Sequence, residues 1–123
     1  MKLWLLIAAI NGALAVAAGA FGAHALQAKL DAHALQVWET GARYHMYHAL
    51  AIGLATLVAR DAASSIPNAA AAFFLAGIVL FSGSLYLLAI TGMRGLGIVT
   101  PFGGLSFLVG WGVLAYAAAK TAG

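Results

Sequence analysis

Four stretches of this chain are each long enough to cross a bilayer and nearly free of charge. No other feature limits the fold so tightly. They run from about Leu3 to Leu26, Trp38 to Ala59, Ala69 to Ile90 and Pro101 to Ala119. A hydrocarbon core of ~30 Å takes about 20 helical residues, with a range near 17–25. Lipid offers no partner for unpaired backbone groups, so helices are the form open to such segments. The expected fold class is therefore all-α, an integral membrane bundle of four transmembrane helices in up-down order. The soluble alternative fails on charge: 7% of residues are charged, where soluble domains carry about 25%. A chain of 123 residues suits a single membrane domain over residues 1–123.

The connections fit that reading. Arg60-Asp61 through Pro67-Asn68 forms a polar turn between spans two and three. Thr91-Gly92-Met93-Arg94 closes span three with a glycine and a cation, as helix C-termini favour. Thr100-Pro101 reads as an N-cap followed by proline at the first helical position. The segment of about residues 27–37 is too polar for hydrocarbon. Leu30, Ala34, Leu35 and Trp38 share one helical face, which predicts a short interfacial helix between spans one and two, anchored by Trp38. An ordinary polar loop is the alternative.

The six basic residues, Lys2, Lys29, Arg43, Arg60, Arg94 and Lys120, are scattered singly, so the net charge of +3 marks no nucleic-acid surface. The chain has no cysteine, which excludes disulfides and thiolate chemistry. Lys2, the first apolar run and Ala23-His24-Ala25 have the outline of a secretory signal. The run is longer than such a signal needs, and an uncleaved first span is expected. Lys2, Arg60 and Lys120 fall at one end of the bundle; Lys29, Arg43 and Arg94 fall at the other. The positive-inside count is level. Pairing of Glu39 with Arg43 at i, i+4 would tip it toward both termini being cytoplasmic.

Bundles in lipid pack through small residues. Span one offers Ala8, Gly12, Ala15, Gly19 and Ala23; span four offers Gly103, Ser106 and Gly110. The segment richest in chemistry is Glu39 to His48. Counted from Trp38 at 1.5 Å per residue, His48 lies ~15 Å deep, near mid-membrane. Ionisable groups at that depth are costly and turn inward. Depth matching places His48 in one polar layer with Ser82, Ser84 and, more distantly, Asn11. The bland reading is a hydrogen-bonding strut, the sharper one a proton relay or substrate contact. A second group gathers His24, Gln27, Glu39, Arg43, Tyr44, His45, Thr91, Arg94 and Thr100 at one membrane face. It reads either as interfacial salt bridges or as a site for a lipid headgroup or small anion. No metal or haem set is expected, since no third and fourth ligand falls at the depth of His45 and His48. No cofactor is expected.

Several motifs carry a resemblance to a known family. Gly19-Ala-Phe-Gly22-Ala-His24-Ala-Leu26, Tyr44-x-x-Tyr47-His48-Ala-Leu50, Phe81-Ser82-Gly83-Ser84-Leu85-Tyr86 and Thr100-Pro101-x-Gly103-Gly104 follow in order, with Gly110-Trp111 in the last span. Together they resemble the DUF423 family of YgdD-like small bacterial inner-membrane proteins. The resemblance implies a four-helix, multi-pass protein of the bacterial inner membrane and brings no activity. The position of His45 is often glutamine in that pattern, which weakens a His45–His48 metal pair. The first functional expectation is a non-enzymatic protein binding lipid, a small solute or a partner protein through its polar face. The alternative is a subunit of an oligomeric transporter or channel using the mid-membrane histidine. Span one carries no acidic residue, which counts against drug–proton exchange.

Overall fold

The computed structural model describes residues 2–122. Met1 and Gly123, the ends of the expected single domain, lie outside the described residues. Helix α1 spans Lys2–His24, and a 3-10 turn at Leu26–Ala28 leads to α2, Ala32–Asp61. Then come α3 (Ile66–Gly77), a π turn (Ile78–Ser82) and α4 (Gly83–Thr91), which form one continuous rod. A 3-10 turn at Arg94–Ile98 precedes α5, Thr100–Ala122. The described residues contain no strand. Three of the four long helices are long and apolar enough to cross a membrane: Lys2–His24, Ile66–Thr91 and the stretch Arg94–Thr121. The longest, α2, is not among them.

Its position explains why. α2 packs against α1, both halves of the α3–α4 rod and α5, and buries Ala49, Ala51, Ile52 and Ala55 almost completely. The polar groups it does bury, His45, His48 and Thr56, meet protein rather than lipid, and the polar residues of its opening turns are largely exposed. The sequence expectation for this region needs two corrections. Residues 27–37 form no separate helix: Leu26–Ala28 is a single turn, and residues 32–37 are the opening turns of α2. Asp31, in extended conformation, caps α2 by accepting from the Ala34 amide at 2.8 Å, and no helix breaker follows before Trp38. Trp38 itself is buried rather than an interfacial anchor. Its indole N–H donates to the Ala18 carbonyl at 2.7 Å, and its ring fills the slot left by Gly22.

Large-against-small packing recurs across the bundle. A Cβ on Gly22 would meet the Trp38 ring, one on Gly77 the Phe107 ring and one on Gly110 the Phe74 ring. Gly103 differs because the obstacle is backbone: its Cβ would run into the Phe81 nitrogen in the π turn. The expected small positions of the last span are thus contact points. In α1 the buried small residues are Ala8, Ala15 and Gly22, not the Ala8–Gly12–Ala15–Gly19–Ala23 row. Gly19 and Ala23 are exposed, since the row follows four-residue steps while the contact follows seven. Gly92 ends α4 in the left-handed conformation (φ 71°), its amide bonding to the Leu88 carbonyl, as the sequence suggested.

Gly103→Ala is expected to destabilise the fold by about 1–3 kcal/mol, because backbone cannot move aside as a side chain does. Gly19→Ala should be neutral or stabilising by up to about 1 kcal/mol, as its Cβ meets nothing within 4 Å. Thermal unfolding of the two variants in detergent provides the comparison, and equal melting points would refute the close approach.

Candidate functional site

Most of the side-chain chemistry inside the bundle comes from two histidines of α2, His45 and His48, which flank the middle of that helix and are both buried. Nδ1 of His48 lies 2.7 Å from the Tyr44 carbonyl, an acceptor only, so that nitrogen carries the proton. Nε2 then accepts from the Trp111 indole N–H at 3.0 Å. Phe107 stacks on the imidazole with 3.5 Å between ring centroids and 7° between planes. Tyr44, Tyr47, Phe81 and Trp111 continue the wall as an aromatic groove of about 420 Å³.

His45 holds the opposite tautomer. The Asn11 amide nitrogen donates to the Ile7 carbonyl at 2.9 Å, which turns the Asn11 carbonyl oxygen toward His45 Nε2, also at 2.9 Å. Nε2 must therefore donate, and Nδ1 accepts from the Tyr86 hydroxyl at 2.9 Å. The line Tyr86 to His45 to Asn11 to Ile7 joins α4, α2 and α1 with every donor pointing the same way. Further bonds tie the α3–α4 rod to α2 and to α5. Ser82 donates to the Gly41 carbonyl at 2.7 Å, Ser84 pairs with Thr100 at 2.6 Å, and Ser106 donates to the Phe73 carbonyl at 2.7 Å. Among the described residues, no buried side-chain nitrogen or oxygen lacks a partner.

This geometry redistributes the polar layer expected from the sequence. His48 touches neither Ser82 nor Ser84; Asn11 pairs with His45 instead. Ser82 lies opposite Gly41, while His48 lies beside Phe74 (5.7 Å between rings). The antiparallel register is thus displaced by about two helical turns from one pairing His48 with Ser82. His45 leaves the polar face for the interior. Thr100 turns its hydroxyl to Ser84 and the Leu96 carbonyl rather than capping α5. Trp111 and Tyr86, not foreseen as site residues, complete the network. Their signal was present in the Gly110-Trp111 pair and the end of the Phe81–Tyr86 motif.

Of the remaining face residues, His24, Glu39 and Arg43 are exposed, and the Tyr44 ring opens onto the aromatic groove. Arg94 is the one brought into a shared site. With Lys29, Asp31 and His33 it borders a depression of about 590 Å³ between the start of α2 and the end of α4, floored by Leu30, Val37, Leu88 and Ile90. Two fixed cations and an imidazole face it. Its one carboxylate, Asp31, already accepts from the Ala34 amide. Among the described residues no three His, Cys, Asp or Glu side chains cluster as metal ligands would.

Glutamine at position 45 can accept from Tyr86 and donate to Asn11, whereas alanine strands both. His45→Ala is expected to lose about 1–3 kcal/mol and His45→Gln to stay near wild type in detergent melting. His48→Ala, which strands the Trp111 N–H and opens a void beside Phe107, should also melt lower. An unchanged melting point there would contradict its role as a strut.

Comparison with known proteins bears on identity. A family model described as "Protein of unknown function (DUF423)" matches residues 18–104. The UPF0382 membrane protein YwdK of Bacillus subtilis (strain 168) is 48% identical over 98% of both chains. A UPF0382 membrane protein of Staphylococcus aureus (strain bovine RF122 / ET3-1) is 44% identical over the full length of both. One from Staphylococcus epidermidis (strain ATCC 35984) is 43% identical over the same extent. No solved structure matches the chain. The chain is a membrane protein and belongs to the DUF423 family.

Proposed function

We propose that this chain is a four-span, non-enzymatic protein of the bacterial inner membrane that binds an anionic group, a lipid headgroup or a small anion, at the Lys29–Arg94 end. The observation that carries the reading is the depression beside Arg94. It sets Lys29, His33 and Arg94, with Asp31 as the single carboxylate, beside Leu30, Val37, Leu88 and Ile90, which matches an amphiphile whose charged part sits at the membrane surface. In this reading α2 is the fourth span, with Leu50, Leu54 and Leu57 on an exposed face, and its polar opening turns lie in the interface. Both termini are cytoplasmic, with Lys2, Arg60 and Lys120 on that side.

The commitment of the histidines supports a non-enzymatic role. A general base or a proton carrier needs a nitrogen free to exchange. Both ring nitrogens of His45 and of His48 are engaged by protein groups. For His48 to take up a second proton, Trp111 would have to swing away, since two N–H groups would otherwise face each other. The transporter reading therefore draws less support than the binding reading.

Purified protein should gain thermal stability with inorganic phosphate or phosphatidylglycerol, and Lys29→Gln with Arg94→Gln should weaken that binding by at least about tenfold. Uptake into proteoliposomes that disappears with His48→Ala would overturn the reading in favour of transport. Because the chain has no cysteine, single cysteines report topology directly. Cysteines replacing Lys120 and Asp61 should label from the cytoplasmic side and one replacing Arg94 from the other. Labelling of all three from one side would exclude four spans.

A further inference from the structure

The opposite end of the molecule carries a second site of different chemistry. Between the start of α1 and the end of α2 lies a groove of about 550 Å³. Its walls are leucines, Leu5 from α1 and Leu50, Leu54 and Leu57 from α2, and the cations Lys2 and Arg60 stand at its rim. The one polar side chain along its length, Thr56, donates its hydroxyl to the Gly53 carbonyl at 2.6 Å. Nothing within the groove is left to hold a water-soluble ligand.

We propose that this groove holds one acyl chain of an anionic phospholipid, with the phosphate between Lys2 and Arg60. The inference goes beyond the anion site at the Lys29–Arg94 end and shares with it only the four-span reading. Three observations converge on this occupant. From Arg60 to Leu50 the groove descends ten residues of helix, ~15 Å, which is half of a ~30 Å hydrocarbon core. It therefore spans one leaflet and ends at mid-membrane. Gly53 sits in its wall, and a Cβ built there meets no atom within 4 Å. The space beside Gly53 is thus open and leaves room for an acyl chain lying along the helix.

The charge at the rim selects the headgroup. Two cations at the mouth of an apolar cleft complement a phosphate with further negative charge, and anionic lipids populate the cytoplasmic leaflet, where both termini are placed. A second copy of this chain fits the face less well. A two-fold partner in the same orientation brings its own Lys2 and Arg60 to the same depth, so four cations would crowd together. Asp61, next in sequence to Arg60, borders a separate depression with Lys120 and leaves the rim cationic.

The test uses the full chain with Lys29→Gln and Arg94→Gln, so that the other anion site is silenced. Native mass spectrometry from mixed phosphatidylglycerol and phosphatidylcholine nanodiscs should show one retained phosphatidylglycerol, preferred on the order of tenfold. Lys2→Gln with Arg60→Gln should bring the two lipids to near parity. Gly53→Leu, which fills the groove, should remove the retained lipid. Exposed Lys2 and Arg60 can be replaced without disturbing the core, so the first variant remains informative should Gly53→Leu fold poorly. Equal retention of both lipids by the parent, or a preference that survives loss of both cations, overturns the proposal. A dimer that Gly53→Leu dissociates without any change in lipid retention would reassign the face to a second copy.

Discussion

Polar groups inside a membrane bundle have no water to fall back on, so each must find a partner in the protein. α2 brings two imidazoles, a threonine and open carbonyls into that setting, and the rest of the bundle is arranged to answer them. His45 and His48 are only three residues apart, yet they hold opposite tautomers. One faces an amide oxygen from α1 and a hydroxyl from α4; the other faces its own helix's carbonyl and an indole from α5. Each tautomer is dictated by what the neighbouring helix supplies. Three partners from three different elements must be in place at once, which fixes the rotation of α2 about its own axis. Hydrogen bonds of this kind in membranes contribute modestly one by one, about 0.6 kcal/mol on average and up to ~1.7. Their value here lies in register, since a one-residue rotation of any helix breaks several together.

That role explains which features were legible in the sequence. The α1, α3–α4 and α5 helices end within about three residues of the apolar stretches in the sequence, because helices that face lipid must be apolar at nearly every position. The same uniformity hides which face turns inward. With no amphipathic stripe along α1, the contact row Ala8–Ala15–Gly22 could not be told from the neighbouring small residues. α2 shows the converse. The sequence predicts a span from Trp38, and the structure carries the same helix back to Ala32 through polar, largely exposed turns. Its buried polar side chains are His45, His48 and Thr56, and the neighbouring helices answer the two histidines. Within the Glu39-to-His48 segment that the sequence points to, His45 and His48 are buried while Glu39 and Arg43 are exposed. The histidines' partners were missed because side-chain direction and register across 40 residues of sequence leave no local signature.

The packing carries the same logic into the apolar layers. Without a hydrophobic drive between helices in lipid, close dispersion contact is what holds them. The bundle obtains it by seating aromatic rings against glycines: Trp38 on Gly22, Phe107 on Gly77, Phe74 on Gly110. Phe107 serves both systems, stacking on His48 while filling the space above Gly77. The π turn lies at the middle of the α3–α4 rod, where Gly103 lets α5 touch the Phe81 backbone. The sparse polar bonds and the tight apolar contacts therefore meet at the same depth, and a change at either is felt at both.

A core so fully committed pushes function outward. Every buried polar side-chain atom among the described residues is already paired, so a ligand entering the centre would have to break a bond to gain one. The features left unpaired by the fold lie at the ends: cations over an apolar floor beside Arg94, and cations above a leucine groove beside Arg60. Neither borrows a residue from the His45 or His48 networks. Substitutions at these peripheral cations should then alter binding while leaving the fold intact, and substitutions in the networks should do the reverse. An enzyme or proton carrier built around His48 could not show that separation, because its working group and its strut would be the same side chain.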